Sequence, residues 1–144
     1  MNGPLPAGNL LAVLLAVFFA VFASGLADGA EKYPSPTGVV NDFANVIDAD
    51  NTGRMEALAQ EVLRKTGTAV VVATVPTIGA GEEIGLYVSG LYKTWGIGKK
   101  GEDKGILIFL AVQERKIRIE TGYGVEGVLP DGLVGEILDK YVVP

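Results

Sequence analysis

Histidine and cysteine are both missing from the 144 residues of this chain. Without them, His-based general acid–base work, thiol nucleophiles and ordinary zinc sites are excluded. A Ser–His–Asp triad is impossible, and serine itself is scarce. No disulfide or Cys-linked lipid can form. Export does not require disulfides, so their absence is silent on compartment. Charge is missing from one region as well: no Asp, Glu, Lys or Arg precedes Asp28. The polar site chemistry that remains is carboxylates, backbone carbonyls, Thr and Tyr. Oxygen-only ligands suit hard cations such as Ca²⁺ or Mg²⁺.

The uncharged start contains Leu10 to Ala23, LLAVLLAVFFAVFA, without interruption. Its length fits a signal-peptide core better than a spanning helix, which needs about 20 apolar residues. Ala23-Ser-Gly25 or Gly25-Leu-Ala27 supplies the small residues of a cleavage site. Only the terminal amine is positive ahead of the run, so an uncleaved N-terminal anchor is the alternative. The sequence therefore divides into a leader at 1–27, a polar linker with two prolines at 28–37, and one domain from 38 to 144. All the charge falls on the last two parts and sums to −5. An acidic surface disfavours nucleic acid and anionic lipid and favours cations.

Along the domain, Val39 to Ile47 is a short semi-apolar lead-in carrying Asp42. Met55, Leu58, Ala59, Val62 and Leu63 recur at helical spacing, predicting a helix over Asp48 to Gly67. Asp48 or Asp50 can cap it, Arg64 and Lys65 suit its last turn, and Gly67 ends it. Thr68 to Val75 is a β-branched run, hence a buried strand stopped by Pro76. Glu82 to Trp95 reads as a second helix with Ile84, Leu86, Tyr87, Leu91 and Tyr92 on its apolar face. Gly85 and Gly90 weaken it by roughly 1 kcal/mol each and permit close packing.

The stretch from Asp103 to Asp131 organises the rest. Gly105 to Val112 is an unbroken apolar run, as expected of a strand covered on both faces. A turn through Gln113, Glu114 and Arg115 leads to Lys116–Thr121, whose residues alternate apolar and polar like an edge strand. A glycine-rich acidic loop follows, and Asp131 to Tyr141 reads as a last helix. The order strand, helix, strand predicts a parallel crossover from Thr68–Val75 to Gly105–Val112. The fold class is α/β, a small mixed sheet with helices packed on it.

Three motifs have plain structural readings beside functional ones. Gly122 to Gly127, G-Y-G-V-E-G, formally matches a dinucleotide fingerprint, but Pro130 interrupts the helix that fingerprint needs. Glycines at positive-φ turn positions are the simpler expectation. Asp48 to Gly53, D-A-D-N-T-G, resembles the start of an EF-hand loop, yet Ala59 stands where the bidentate carboxylate belongs. The same letters resemble the nucleophile motif of aspartate-dependent phosphotransferases, without the buried strand before it. Helix capping accounts for them better. Lys99-Lys100 is either an anion-binding nest or a surface turn.

Val40-Asn-Asp42, Ala44-Asn-Val46, Trp95-Gly-Ile-Gly98, Asp103-Lys-Gly-Ile-Leu107 and above all Arg118-Ile-Glu-Thr-Gly-Tyr-Gly-Val-Glu-Gly127 resemble the TPM domain family. The resemblance covers about residues 38 to 144. It implies a three-layer α/β/α sandwich acting outside the cytoplasm, at the cell surface or in the periplasm. It implies Ca²⁺ (or Mg²⁺) binding, a membrane-associated protein partner in an interaction or maintenance role, and, as the alternative, a metal-assisted acid phosphatase. Mapped by motif, the metal-ligating positions are Asp42, Asp103, Glu126 and Asp131. Glu120, Gly122, Gly124 and Gly127 are further loop contributors. The family's additional C-terminal helix, and the membrane helix and glycine-rich tail common among bacterial members, have no counterpart in this sequence. By that comparison the chain reads as truncated at its C-terminus.

Overall fold

The computed structural model describes residues 31–98 and 101–142. The expected leader and the Lys99–Lys100 nest lie outside the described residues. Tyr33 to Pro144 forms one compact unit.

Four strands form a single sheet: β1 (Val40–Asp42), β2 (Ala69–Val75), β3 (Gly105–Ala111) and β4 (Lys116–Thr121), side by side in that order. β1 and β3 both run parallel to β2, and β4 returns antiparallel to β3. The helices are α1 (Ala49–Thr66), between β1 and β2; α2 (Ile84–Trp95), between β2 and β3; and α3 (Asp131–Ile137), which loosens into a π-helical turn over Leu138–Val142. The expected α/β sandwich with its parallel crossover is what forms.

The local signals act as physics requires. The Asp48 carboxylate accepts the Asn51 amide at 2.8 Å and caps α1. Gly67 ends α1 in the left-handed region, φ 72°, and donates its amide to the Leu63 carbonyl. Glu83 caps α2, accepting from the amides of Gly85 and Leu86. Those two amides hold its carboxyl below the usual range, against a small opposing effect of burial, and Arg118 and Lys116 add to the lowering.

Sheet alternation divides the core. Gly105, Leu107, Phe109 and Ala111 are buried on one face against Tyr87, Val88, Leu91 and Tyr92 of α2. Ile106, Ile108 and Leu110, on the opposite face, are only half-buried. The unbroken apolar run of β3 therefore signals two unequal faces rather than full burial on both. α1 packs over β2 and buries only Ala59 of its own residues. Met55, Leu58 and Leu63, expected to point inward, are exposed. On α2, Leu86 is exposed and Val88 takes the inward position in its place.

β1 lies within the segment whose sequence reads only as a semi-apolar lead-in. Three residues with one charged member carry no strand periodicity, and the strand exists because the register seats Asn41 beside Ala73. Asn41 is fully buried, and its amide nitrogen donates to the carbonyls of Gly38 and Val72. Its side-chain oxygen accepts from the amides of Thr37 and Gly38. Just ahead of it, Trp95 Nε1 donates to the Pro34 carbonyl at 2.8 Å, and Tyr33 meets Tyr87 edge-on at 5.0 Å. Gly90 makes that seat possible, because a Cβ there would lie 2.0 Å from the Tyr33 hydroxyl.

Candidate functional site

The two conspicuous aspartates stand at opposite ends of the sheet. Asp42 pairs in register with Thr74, which pairs with Leu110 near the end of β3. Asp103 lies just before β3 begins at Gly105. At about 3.3 Å per residue, the seven-residue strand between them spans roughly 20 Å. The expected set Asp42, Asp103, Glu126 and Asp131 is thus not assembled as four. Asp42 stands apart and the other three share a cavity.

Asp42 is committed to local structure. Its carboxylate accepts the Thr74 hydroxyl, the Val46 amide at 3.1 Å and the Ile47 amide at 2.8 Å. Burial pushes its carboxyl up, but the Thr74 hydroxyl and the Ile47, Val46 and Asn45 amides together outweigh it and hold the group below its usual range. The arrangement shapes the turn into α1, in which Asn45 adopts φ 55°.

At the other end, a cavity of about 430 Å³ opens between α2, β4 and the loop after β4. Asp103, Glu120, Glu126 and Asp131 line it, with Tyr92, Tyr123, Ser89, Lys93 and Arg118. Asp103 is the fixed point. It holds φ 46°, in the region where non-glycine residues are strained. Tyr92 donates its hydroxyl to Asp103 Oδ1 at 2.9 Å, Tyr123 its amide to Oδ2 at 2.9 Å, and Gly124 its amide to the Asp103 carbonyl at 3.0 Å. Burial pushes the Tyr92 hydroxyl far above its ordinary range, and the bond to Asp103 and the charges of Asp103 and Glu120 push it further the same way. It stays a proton donor throughout the physiological range.

The glycines of the loop have a different reason from the one expected. Gly122, Gly124 and Gly127 are not among the positive-φ residues. Close approach is what demands the first two. A Cβ on Gly122 would lie 2.1 Å from the Asp103 carbonyl oxygen, and one on Gly124 would lie 2.0 Å from the Glu102 carbonyl oxygen. The loop packs directly on the backbone of residues 102–103, and only a missing side chain allows it. Gly127 has open space around it.

Two cationic side chains complete the cavity, and sequence reasoning missed both as site residues. Arg118 projects from β4 on the same face as Glu120, and its Nε donates to Glu120 Oε2 at 3.2 Å. Its guanidinium carbon lies 3.4 Å from where a Cβ on Gly85 would stand, so a glycine at 85 leaves it room against the first turn of α2. Lys93 comes from α2, one turn after Ser89. The available signal was the alternation of β4: Arg118 and Glu120 are two apart, so both must point the same way.

The donor set is chemically suited to a hard cation, with carboxylates on three separate segments. It is not a preassembled cluster. Among the described residues, no three Asp or Glu side chains are grouped closely enough to hold a metal ion. Asp103 is locked by its hydrogen bonds, Glu120 is half-buried beside Arg118, and Glu126 and Asp131 are exposed.

The family model of the TPM domain matches residues 40–144. Among solved structures, the N-terminal domain of a protein from P.gingivalis, determined by solution NMR, superposes with a TM-score of 0.65 at 31% identity. The match covers 70% of this chain and 64% of that one, so the chain spans just under two thirds of that neighbour's length. No curated protein matches it.

Proposed function

Since this chain belongs to the TPM domain family, we propose that it is a divalent-cation-binding module of that family, working outside the cytoplasm through a protein partner. The observation that supports the cation reading is the cavity that Asp103, Glu120, Glu126 and Asp131 line. Four carboxylates face two cationic side chains there, and Lys93 and Arg118 cannot neutralise all of them. Repulsion among the remainder favours a bound cation. Asp103 serves as the rigid anchor, and the exposed Glu126 and Asp131 close toward the ion as it binds. Backbone carbonyls of the glycine loop add oxygens to reach a calcium shell. Asp42, at the far end of the sheet, takes no part. The extracytoplasmic setting rests on the apolar leader, Leu10 to Ala23, followed by small residues. None of the helices among the described residues is long and apolar enough to cross a membrane.

The test is a calcium titration of the full chain, read by calorimetry and by thermal unfolding. For a Kd of about 1 mM, as extracellular modules show, roughly 10 mM calcium adds about 1.4 kcal/mol of stability. For a domain of this size that raises Tm by several degrees. Asp103→Asn should remove most of the rise. An unchanged wild-type Tm, with no heat of binding, refutes the reading.

A second reading is a metal-assisted phosphatase, favoured by the size of the cavity, which has room for a phosphomonoester beside an ion. It requires turnover that depends on added metal and collapses in Asp103→Asn and Glu126→Gln. Turnover surviving chelation removes it.

A further inference from the structure

β4 is the last strand of the sheet, so its outer edge faces no neighbouring strand. The pairing with β3 fixes which backbone groups lie on that edge. Thr121 stands opposite Ile106, and one step further Gly122 donates its amide to the Gly105 carbonyl. Bonded and unbonded pairs alternate in an antiparallel ladder, so Glu120, Arg118 and Lys116 also turn their backbone groups toward β3. Ile117, Ile119 and Thr121 turn theirs outward. At both ends of the strand the chain is drawn inward, away from this edge. Before β4, Glu114 accepts from the Thr77 hydroxyl and the Ile78 amide. After it, Gly122 and Gly124 pack on residues 102–103.

Charged side chains on an edge strand ordinarily discourage pairing. Those of β4 instead make it self-complementary in one register. Arg118 and Glu120 have opposite signs and lie two apart on the same face. With a second β4 antiparallel and Ile119 opposite Ile119, each Arg118 stands across from Glu120 of the other copy. Ile117 then stands across from Thr121, and the outward backbone groups of these positions meet as bonded pairs. Sliding the register by two residues either way sets Arg118 against Arg118 or Glu120 against Glu120, which is unfavourable. Within its own chain Arg118 already bonds Glu120 and faces Glu83, so the pairing extends an existing charge network. The other face of the strand is apolar. Ile117 and Ile119 are only half-buried there, as are Ile106, Ile108 and Leu110 beside them, while α1 packs over β1 and β2.

We propose that two copies of this chain join antiparallel through Lys116–Thr121, about a twofold axis at Ile119, making one continuous sheet from two. The proposal is independent of the cation reading.

The experiment is sedimentation velocity of the full chain over a concentration series, with amide exchange followed by NMR on the same samples. Between about 1 μM and about 1 mM the wild type should pass from monomer to dimer, the range expected of a small contact. The amides of Ile117, Ile119 and Thr121 should become protected as the dimer forms. Arg118→Glu alone and Glu120→Arg alone should each weaken association about tenfold, because both cross-strand pairs become repulsive. An equimolar mixture of the two variants should regain it, since the reversed charges are complementary between the chains. Association through the leader or another surface would ignore these charges. A monomer at every concentration leaves the edge to a strand from another protein and overturns the proposal. So does a dimer in which the three amides stay unprotected, or a mixture of folded variants that fails to associate. Should either variant not fold, the exchange pattern of the wild type decides alone.

Discussion

At one end of the sheet Asp42 accepts hydrogen bonds from Thr74 on the neighbouring strand and from two amides within five residues of itself. At the other, Asp103 accepts from Tyr92, 11 residues away on α2, and from Tyr123, 20 residues away in the loop after β4. Both are aspartates at strand ends, and in both each carboxylate oxygen accepts a hydrogen bond. The difference is reach. Asp42 completes one local turn, whereas Asp103 gathers a helix, a strand start and a glycine loop around a cavity, in a backbone conformation that costs about 1 kcal/mol. A carboxylate at a sheet end is therefore weak evidence of a site. Strain combined with ties to several segments is stronger evidence, because the fold has over-determined that position.

The largest effect that would break this contrast belongs to the glycines. Gly122→Ala places a Cβ against a backbone carbonyl that cannot rotate away. The loop must move off residues 102–103, and we expect a loss of about 3 kcal/mol, at the upper end for overpacking. Gly127→Ala, with open space around the same position and no positive φ, should stay within about 0.5 kcal/mol. Urea unfolding of the two variants reads the difference. Equal losses would mean that the loop does not lie on the Asp103 backbone as described.

Next in size is Asp42→Asn. Removing a charged acceptor of three donors, on a half-buried group, should cost about 1–2 kcal/mol at neutral pH. Its folded-state pKa lies below the ordinary value, so the stabilisation is present above the ordinary carboxylate range and is lost as pH falls through the folded value. Wild type and variant should therefore converge in stability on acidification below about pH 4. The calcium response of Asp42→Asn should equal that of the wild type. A lost response would bring Asp42 back into the cation site.

Most of the architecture was legible in the sequence, and so was one half of the cavity. The capped helix at Asp48–Gly67, the β-branched strand before Pro76 and the hairpin through Gln113–Arg115 are local events, fixed by side chains within a few residues of one another. β1 was not legible, because its pairing is set by Asn41 and by the far strand β2, not by any pattern in three residues. Arg118 and Lys93 were missed for a related reason. Each looks like a surface charge in its own element, and only the packing of α2 against the edge strand brings them to one cavity. Asp42 joined the acids by family resemblance, which could not show that it stands at the opposite end of the sheet.

Tyr92→Phe sharpens the contrast at the Asp103 end. The variant deletes one buried hydroxyl donor and should cost about 1 kcal/mol. Because the Tyr92 pKa is raised in the folded state, its stabilisation is complete below about pH 10 and is lost as pH rises past the ordinary tyrosine value. The variant should lose less stability than the wild type on alkaline titration. Tyr87, also raised by burial and by Tyr33 and Glu82, keeps a residual dependence in both. Identical alkaline profiles would mean that the Tyr92–Asp103 bond contributes nothing to the fold.

The smallest effect on stability is the most discriminating. Glu126 is exposed and is an acceptor in no hydrogen bond among the described residues, whereas Asp103 anchors three donors. Glu126→Gln is nearly isosteric and should move the calcium-free stability by no more than about 0.5 kcal/mol, upward if it relieves repulsion from the neighbouring carboxylates. In calcium the same variant should lose most of the wild-type gain in Tm, because it removes a ligand without disturbing the frame. Asp103→Asn cannot separate these effects, since it weakens the frame and the ligand set together. If Glu126→Gln keeps the full calcium response while Asp103→Asn loses it, Glu126 is not a ligand of the ion. The acids of the loop would then be solvated surface charges, equivalent to those at the Asp42 end.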